Sequence, residues 1–80
     1  MRFVPVASSN VDAVAHEGDV LLVRFRSGGV YRYRGVPASV YGDLLAADSK
    51  GAFVARRIAR NQEYQVDLVP ADDLAGLVEE

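Results

Sequence analysis

Residues 20–34 read VLLVRFRSGGVYRYR and carry the clearest secondary-structure signal in the chain. Two segments rich in β-branched and aromatic residues flank Ser27-Gly28-Gly29, a run of residues that favour tight turns. The pattern predicts a β-hairpin with its first strand at residues 20–26 and its second strand at residues 30–34. Because so few residues join the two strands, we expect them to pair directly in an antiparallel sheet.

The length of the turn decides which side chains share a face of this hairpin. A loop of the two glycines alone would place tyrosines and arginines on one face. A three-residue loop that starts at Ser27, with one glycine in the left-handed conformation, pairs Phe25 with Tyr31 and Val23 with Tyr33. We prefer this second register because it separates apolar from charged side chains, and a one-residue slip would exchange the two faces. The apolar face then holds Leu21, Val23, Phe25, Tyr31 and Tyr33, and the opposite face holds Arg24, Arg26, Arg32 and Arg34.

Two weaker strand signals precede the hairpin. Residues 3–6 predict a short edge strand, since Pro5 has no N–H group to donate to a neighbouring strand. Residues 11–16 predict another strand, because turn-forming residues bound them on both sides. With the hairpin, these segments form an antiparallel meander of three to four strands.

Helical periodicity begins after the hairpin. Pro37 suits the first turn of a helix, and apolar residues between Val40 and Ala47 recur on one helix face. Ser49 is a suitable N-cap for a second helix. In this helix we expect an apolar inward face and a basic outward face. The inward residues are Phe53, Val54 and Ile58, and the outward residues are Lys50, Arg56 and Arg60.

The last part of the chain predicts one strand and one short helix. Residues 64–69 alternate well enough to form a strand. Pro70 follows, and residues 71–78 are compatible with a helix whose positive N-terminal end lies near Asp72 and Asp73. We therefore predict one α+β domain over residues 1–80, in which the meander packs against two helices and is followed by this C-terminal strand and short helix.

Composition narrows the class of protein further. The chain has 80 residues, of which 50% are hydrophobic, and it contains no cysteine. A disulfide framework and thiolate metal sites are therefore excluded, and the chain has no need of an oxidising compartment. No apolar run approaches the roughly 20 residues of a membrane helix. These features predict a cytoplasmic protein.

The net charge of −2 conceals a strong asymmetry. Residues 24–60 contain eight basic and two acidic residues, whereas residues 61–80 contain six acidic residues and no basic one. The middle of the chain is thus strongly basic and the end strongly acidic. This asymmetry suggests that the acidic end competes with a polyanion for the arginines.

The order of these signals is similar to that of a known family. The segments that carry the similarity are Ser8-Ser9-Asn10-Val11, Tyr31-x-Tyr33, Val36-Pro37, Leu44-Leu45 and Ser49-x-Gly51. Together they resemble the KTSC domain, a short module named for its occurrence at the C-terminus of some lysyl-tRNA synthetases. The module is also found as a stand-alone bacterial or phage protein.

The resemblance covers residues 8–58 and leaves residues 61–80 outside as an acidic C-terminal extension. The chain departs from the family pattern at Ala15-His16, where the family often has Gly-Tyr, and at Val54, where it often has asparagine. The resemblance implies a domain of unknown function with no catalytic residue, and the fusion to a synthetase implies RNA binding.

The arginines of the hairpin are the main functional signal in the residues themselves. The preferred register sets Arg24 directly opposite Arg32, and such a like-charge pair is unfavourable unless an anion lies over it. Arginine binds phosphate through two parallel hydrogen bonds, so a nucleic acid fits this face. We predict a nucleic-acid-binding surface, RNA in the first place, formed by Arg24, Arg26, Arg32, Arg34, Lys50, Arg56 and Arg60.

Other interpretations of the same residues stay open. The arginine face is also compatible with a solvated surface or with neutralisation by the acidic end of the chain. A protein-interaction adaptor, or a homodimer joined along a sheet edge, is the alternative function. Tyr31 and Tyr33 form the family motif, and their place on the apolar face predicts a structural role, although aromatic rings also stack on bases.

Catalysis and cofactor binding have little support in the sequence. His16 is the only histidine, so neither a pair of histidine metal ligands nor a complete Ser-His-Asp arrangement is available. The glycines lack the spacing of phosphate-binding loops. We therefore predict a binding domain that is not an enzyme, with no catalytic residue, no metal site and no cofactor.

Overall fold

The hairpin lies at the centre of a six-stranded sheet in the computed structural model, which describes residues 1–74 and 78–79. The strands are β1 (Arg2–Pro5), β2 (Val11–Glu17), β3 (Val20–Phe25), β4 (Val30–Arg34), β5 (Gln65–Leu68) and β6 (Val78–Glu79). Their order across the sheet is β5-β4-β3-β2-β1-β6. β1 to β5 pair antiparallel, which confirms the predicted α+β meander and the strand predicted at residues 64–69, here β5. β6, which was not predicted, pairs parallel with β1.

The predicted faces of the hairpin are correct, but the predicted pairs are wrong by two residues. Tyr31 pairs with Val23 rather than Phe25, and Tyr33 pairs with Leu21 rather than Val23. A shift of two residues leaves the side chains within the two strands on their predicted faces, because side chains alternate with a period of two.

The shift arises in the loop. Gly28 closes the turn: its N–H donates to the Phe25 carbonyl at 2.9 Å, and its φ of 111° favours glycine. Phe25 then pairs with Gly29 through an N–H···O bond of 2.9 Å, so the loop spans residues 26–28. Arg26 therefore belongs to the loop and not to the first strand.

Two helical segments cross one face of the sheet. Helix α1 (Ala38–Ala46) begins directly after Pro37, and α2 (Lys50–Phe53) begins after Ser49. The Ser49 hydroxyl accepts a hydrogen bond from the Ala52 N–H at 3.2 Å, which confirms the predicted cap. α2 continues without interruption into a π-helical segment (Val54–Ala59), in which the turns are wider than in an α-helix.

The predicted C-terminal helix is shorter than expected. Helix α3 spans Ala71–Leu74, and Val78 belongs to β6, where it pairs with Arg2. Pairing with β1 therefore replaces the end of the predicted helix, while residues 75–77 and 80 lie outside the described residues. Within the described part of the chain, no helix has the length and hydrophobicity needed to cross a membrane.

Hydrophobic side chains are buried on both faces of the sheet. The helix-facing core contains Val11, Val14, Leu21, Val23, Tyr33, Val36, Leu44, Val54 and Ile58. The opposite face carries a second cluster of Phe3, Ala13, Ala15, Leu22, Val30 and Val69, against which Leu74 packs. The face predicted to display only arginines thus also contains a core, because Phe3 and the segment after β5 cover the apolar residues between the arginines.

Two adjacent leucines in α1 test the position of the helix-facing core. Leu44 is fully buried, whereas Leu45 is 40% exposed. We expect Leu44→Ala to lower the free energy of unfolding by about 3 kcal/mol, since it removes packed methyl groups and leaves a cavity. Leu45→Ala should cost less than about 1 kcal/mol. Urea unfolding followed by circular dichroism measures both, and equal losses would contradict this packing.

Candidate nucleic-acid interface

Arg24 is held on the sheet by an aspartate from the neighbouring strand. β2 bulges at Asp12, because Val11 pairs with Phe25 and Ala13 pairs with Arg24. The carboxylate of Asp12 accepts a hydrogen bond from the Arg24 Nε at 3.0 Å. The Arg24 guanidinium also lies 5.0 Å from the centre of the Phe3 ring, a cation–π distance. These contacts hold the Arg24 side chain against the fold, on the face of the sheet that carries the second hydrophobic cluster.

Arg32 is held by the acidic end of the chain. It pairs with Leu22 in β3, so the predicted pair of Arg24 and Arg32 is wrong and the like-charge argument no longer applies. On its other side Arg32 lies opposite Asp67 of β5, and it donates from Nε to Asp67 Oδ1 at 3.2 Å and from Nη2 to Asp67 Oδ2. This two-point contact is the favoured geometry for an arginine–carboxylate pair.

The contact between Arg32 and Asp67 changes the pKa of both groups. The hydrogen bond from Arg32 lowers the pKa of the Asp67 carboxyl below its ordinary value, and the charges of Arg32 and Arg34 act in the same direction. The same hydrogen bond raises the pKa of the Arg32 guanidinium. Arg34 approaches the same carboxylate, with 3.9 Å between its Nη1 and Asp67 Oδ1. Asp67 thus contacts two of the four hairpin arginines.

The lowered pKa of Asp67 gives a pH-dependent test. A carboxylate with a depressed folded-state pKa stabilises the fold above its unfolded pKa, and this stabilisation is lost as the pH falls through the folded value. We expect Asp67→Asn to destabilise the protein at pH 7, and the difference from wild type to shrink as the pH falls below the ordinary value of 3.8. Urea unfolding as a function of pH measures the difference.

Asp43→Asn is the matched control for this test. The Asp43 side chain is 62% exposed, and its contact with Arg57 is 3.8 Å long. Such exposed pairs contribute little, so this substitution should change stability only slightly at any pH. A destabilisation by Asp67→Asn that is independent of pH would contradict the ionic contact with Arg32.

Arg26 and Arg34 lie at opposite ends of β3. Arg34 pairs with Val20 at the start of the strand, whereas Arg26 follows Phe25 at its end. Arg26 lies six residues beyond Val20, which in an extended chain corresponds to roughly 20 Å between the positions of Arg26 and Arg34 along the strand. Both side chains are exposed, but the structure does not bring them together. The predicted four-arginine surface is therefore divided: Arg24, Arg32 and Arg34 contact aspartates, and Arg26 lies at the far end of β3 from Arg34.

The predicted basic residues of the second helix lie on the other side of the sheet. Lys50 is partly buried and donates from Nζ to the Ala47 carbonyl at 2.6 Å. Arg56 and Arg60 are exposed. Their neighbour Arg57 lies 4.9 Å from the centre of the Phe53 ring. The sheet thus separates Arg56 and Arg60 from Arg24 and Arg32, but not from Arg26.

A cleft lies between the hairpin loop and the π-helical segment. It has a volume of about 440 Å³. Its walls come from the Ser9-Asn10 turn, from the end of β3 with its loop, and from the helix. The lining residues are Ser9, Asn10, Phe25, Arg26, Ser27, Gly51, Val54, Ala55 and Ala59. Arg26 lines this cleft, whereas Arg56 lines a second cleft beside Phe53. Arg60 is exposed and follows Ala59 on the same helix.

Hydrogen bonds fix the hairpin loop against the turn before β2. Arg26 donates from Nε to the Ser8 carbonyl at 2.7 Å, and its backbone N–H donates to the Asn10 carbonyl at 2.9 Å. The Ser8 hydroxyl accepts from the N–H groups of Asn10 and Val11 at 3.3 and 3.2 Å. Arg26 is therefore positioned by the turn that precedes β2.

Gly51 allows the same turn to approach the helix closely. A Cβ atom at Gly51 would lie only 3.1 Å from Asn10 Nδ2. Two of the segments that carry the family resemblance, Ser8-Ser9-Asn10 and Ser49-x-Gly51, thus meet at the cleft. The sequence pattern identifies both segments but does not predict the cleft, which depends on how a turn and a helix far apart in the chain pack together.

The remaining aromatic candidates are part of the fold. Tyr33 is buried, and its burial raises the pKa of its hydroxyl. Tyr31 is 39% exposed and makes an edge-to-face contact with Phe25, with ring centres 5.6 Å apart. His16 stacks on Tyr41 at 5.0 Å, and its Nε2 lies 2.8 Å from the Val36 carbonyl oxygen. The histidine therefore anchors β2 to the start of α1.

This sheet with helices on one face defines a small α+β domain, and comparisons with known proteins give its family. The model of the KTSC domain matches residues 7–64. The crystal structure of a KTSC domain protein from Yersinia pestis superposes with a TM-score of 0.72 and 28% identity, covering 82% of this chain and 93% of the other. The chain belongs to the KTSC domain family.

Two further relatives carry no functional description. A protein from Tsukamurella paurometabola is 44% identical over 52 residues, which cover 62% of this chain and 78% of the relative. An uncharacterized protein from Stutzerimonas stutzeri is 42% identical over 67 residues, which cover 81% of this chain and 93% of the relative.

Proposed function

We propose that this KTSC domain is a non-enzymatic module that binds single-stranded nucleic acid, with RNA as the preferred target, through basic residues around the cleft. One observation carries the proposal: Arg26 lines an open cleft and has no carboxylate partner among the described residues. The exposed Arg56 and Arg60 belong to the helix that forms one wall of the cleft. A cytoplasmic location is compatible with the absence of cysteine.

Charge accounts for the choice of partner. The whole chain is acidic, so attraction to a polyanion depends on local clusters and not on the net charge. Each arginine that neutralises a phosphate releases condensed counterions, and this release drives binding. Arg26, Arg56 and Arg60 are the predicted site residues that fit this role best, because Arg24 and Arg32 hold carboxylates of the fold.

Side chains that could act as an acid or a base are engaged in contacts within the fold, and this favours a binding function over a catalytic one. The one histidine stacks on Tyr41 and contacts the Val36 carbonyl. Two of the aspartates, Asp12 and Asp67, hold arginines. None of these groups lines the cleft. A site with arginine, hydroxyl and amide groups on an apolar wall suits recognition of a ligand.

Single arginine substitutions test the proposal. We expect Arg26→Gln, Arg56→Gln and Arg60→Gln each to weaken binding of a short single-stranded RNA several-fold. Each should also reduce the salt dependence, with the slope of log K against log salt falling by about 0.7 for each phosphate that is no longer neutralised. Fluorescence anisotropy with labelled RNA over a range of salt concentrations measures both quantities.

Arg2→Gln is the control, since it removes the same charge at the opposite end of the sheet. Arg2 is exposed, and the pairing of Val4 with Val14 directs it away from the hairpin loop. This variant should bind as wild type does. Absence of binding by the wild-type domain at low salt, or an equal effect of all four substitutions, would reject the site.

The edge of the sheet supports a second candidate, a homodimer. β5 is the outermost strand of the sheet, and its backbone groups on one side face away from β4. Val66 and Leu68 are 55% and 57% exposed, and Tyr31 beside Leu68 adds to this apolar surface. A second copy paired antiparallel at Val66 would set Gln65 opposite Asp67 of that copy, so no like charges would meet.

Self-association through β5 is tested by one substitution. Val66→Lys places a charge on the apolar edge and should leave the protein monomeric at concentrations where the wild type associates. Leu45→Lys is the matched control, because Leu45 is also exposed but lies on α1. Sedimentation equilibrium over a range of concentrations measures the mass. A wild type that stays monomeric throughout would eliminate the dimer.

A further inference from the structure

We propose that the cleft between the hairpin loop and the π-helical segment is a nucleotide subsite, which takes one unstacked base with its phosphate. The inference rests on the proposed function and deepens it. It assigns the base to the apolar wall formed by Phe25 and the helix, and the phosphate to Arg26.

The size and the walls of the cleft suit a flat heterocycle. Its volume of about 440 Å³ falls in the range of sites that hold small organic ligands. Phe25 contributes an aromatic ring to the lining, and its edge-to-face contact with Tyr31 orients this ring. Ala55 and Ala59 of the helix line the same cleft with side chains of a single methyl group. Stacking on an aromatic wall is a usual way to bind an unpaired base.

Polar groups at the same cleft match the other parts of a nucleotide. The bond from Arg26 Nε to the Ser8 carbonyl fixes the guanidinium and leaves the N–H groups of its two terminal nitrogens for a phosphate. Among the residues that the structure describes, no carboxylate pairs with Arg26. The side chains of Ser9, Asn10 and Ser27 supply hydroxyl and amide groups that can bond to base edges or to the ribose.

The helix that forms one wall has an unusual geometry. Residues 54–59 are π-helical, and π-helical turns occur frequently at functional sites. Val54 and Ile58 of this segment are anchored in the core, while Ala55 and Ala59 face the cleft. The close approach of Asn10 to Gly51 fixes the start of the same helix. The site is thus built on packed elements of the domain.

Filling the cleft without changing its charge tests the subsite. The double variant Ala55→Leu/Ala59→Leu adds bulk to the apolar wall and keeps every arginine. We expect it to bind a short single-stranded RNA at least about tenfold more weakly, since loss of one base–aromatic stack costs that much, while its salt slope stays unchanged. The matched control Ala38→Leu/Ala46→Leu adds the same bulk to two exposed positions of α1 and should bind as wild type does.

A second probe separates the subsite from the proposed function. Amide shifts of ¹⁵N-labelled wild-type protein are followed by NMR during titration with adenosine and uridine monophosphates, and separately with inorganic phosphate. We expect either nucleotide to shift Ser9, Ser27 and Ala55, and the filled variant to show no such shifts. Both variants are first compared with wild type by circular dichroism and by their NMR spectra, so that an unfolded variant is recognised.

The outcomes distinguish the two claims. RNA binding by the filled variant equal to that of wild type, or equal shifts with phosphate alone, would overturn the subsite and leave RNA binding intact. Nucleotide shifts at the cleft without RNA binding would support the subsite and overturn the proposed function. If neither RNA nor nucleotides bind the wild type at low salt, both are overturned.

Discussion

The pairing of β3 with β4 constrains the rest of this domain. Leu21 opposite Tyr33 and Val23 opposite Tyr31 place the helix-side residues of both strands against one another, and the helices pack on that surface. The same register sets Arg32 between Leu22 and Asp67, and it leaves Arg26 in the loop. A change of one residue in this pairing would exchange the two faces and place arginines beneath the helices. The turn closed by Gly28 is therefore as important for the basic residues as for the core.

The acidic residues of the chain stabilise particular arginines and leave others exposed. The bulge at Asp12 and the register of β5 each bring one carboxylate to an arginine on the second face of the sheet. One acidic residue of the end of the chain, Asp67, therefore neutralises an arginine of the basic middle within the fold. Arg26, which lines the cleft, makes neither of these contacts and bonds to the Ser8 carbonyl instead. Local pairing, and not net charge, decides which basic groups are available to a polyanion.

The period of the strands explains what could be predicted from the sequence. Alternation in residues 20–34 is sufficient to assign faces, and Ser49 is sufficient to locate a helix start. The residue pairs between β3 and β4 could not be predicted correctly from alternation, since a shift of two residues leaves the alternation unchanged. The second core was not predicted because Leu22 lies among arginines, and its cover comes from Phe3 and Val69 at the two ends of the chain. The cleft combines residues 9, 26 and 55, whose proximity depends on tertiary packing.

Burial of the central strands on both faces has a consequence for local stability. Residues 13–15 of β2 and 21–23 of β3 are buried without alternation, so these strands have protein on either side. We expect amide groups there to exchange with solvent only when the whole sheet opens, because surface fluctuations do not expose them. The most protected backbone should therefore lie in the two central strands, which contribute to both hydrophobic cores.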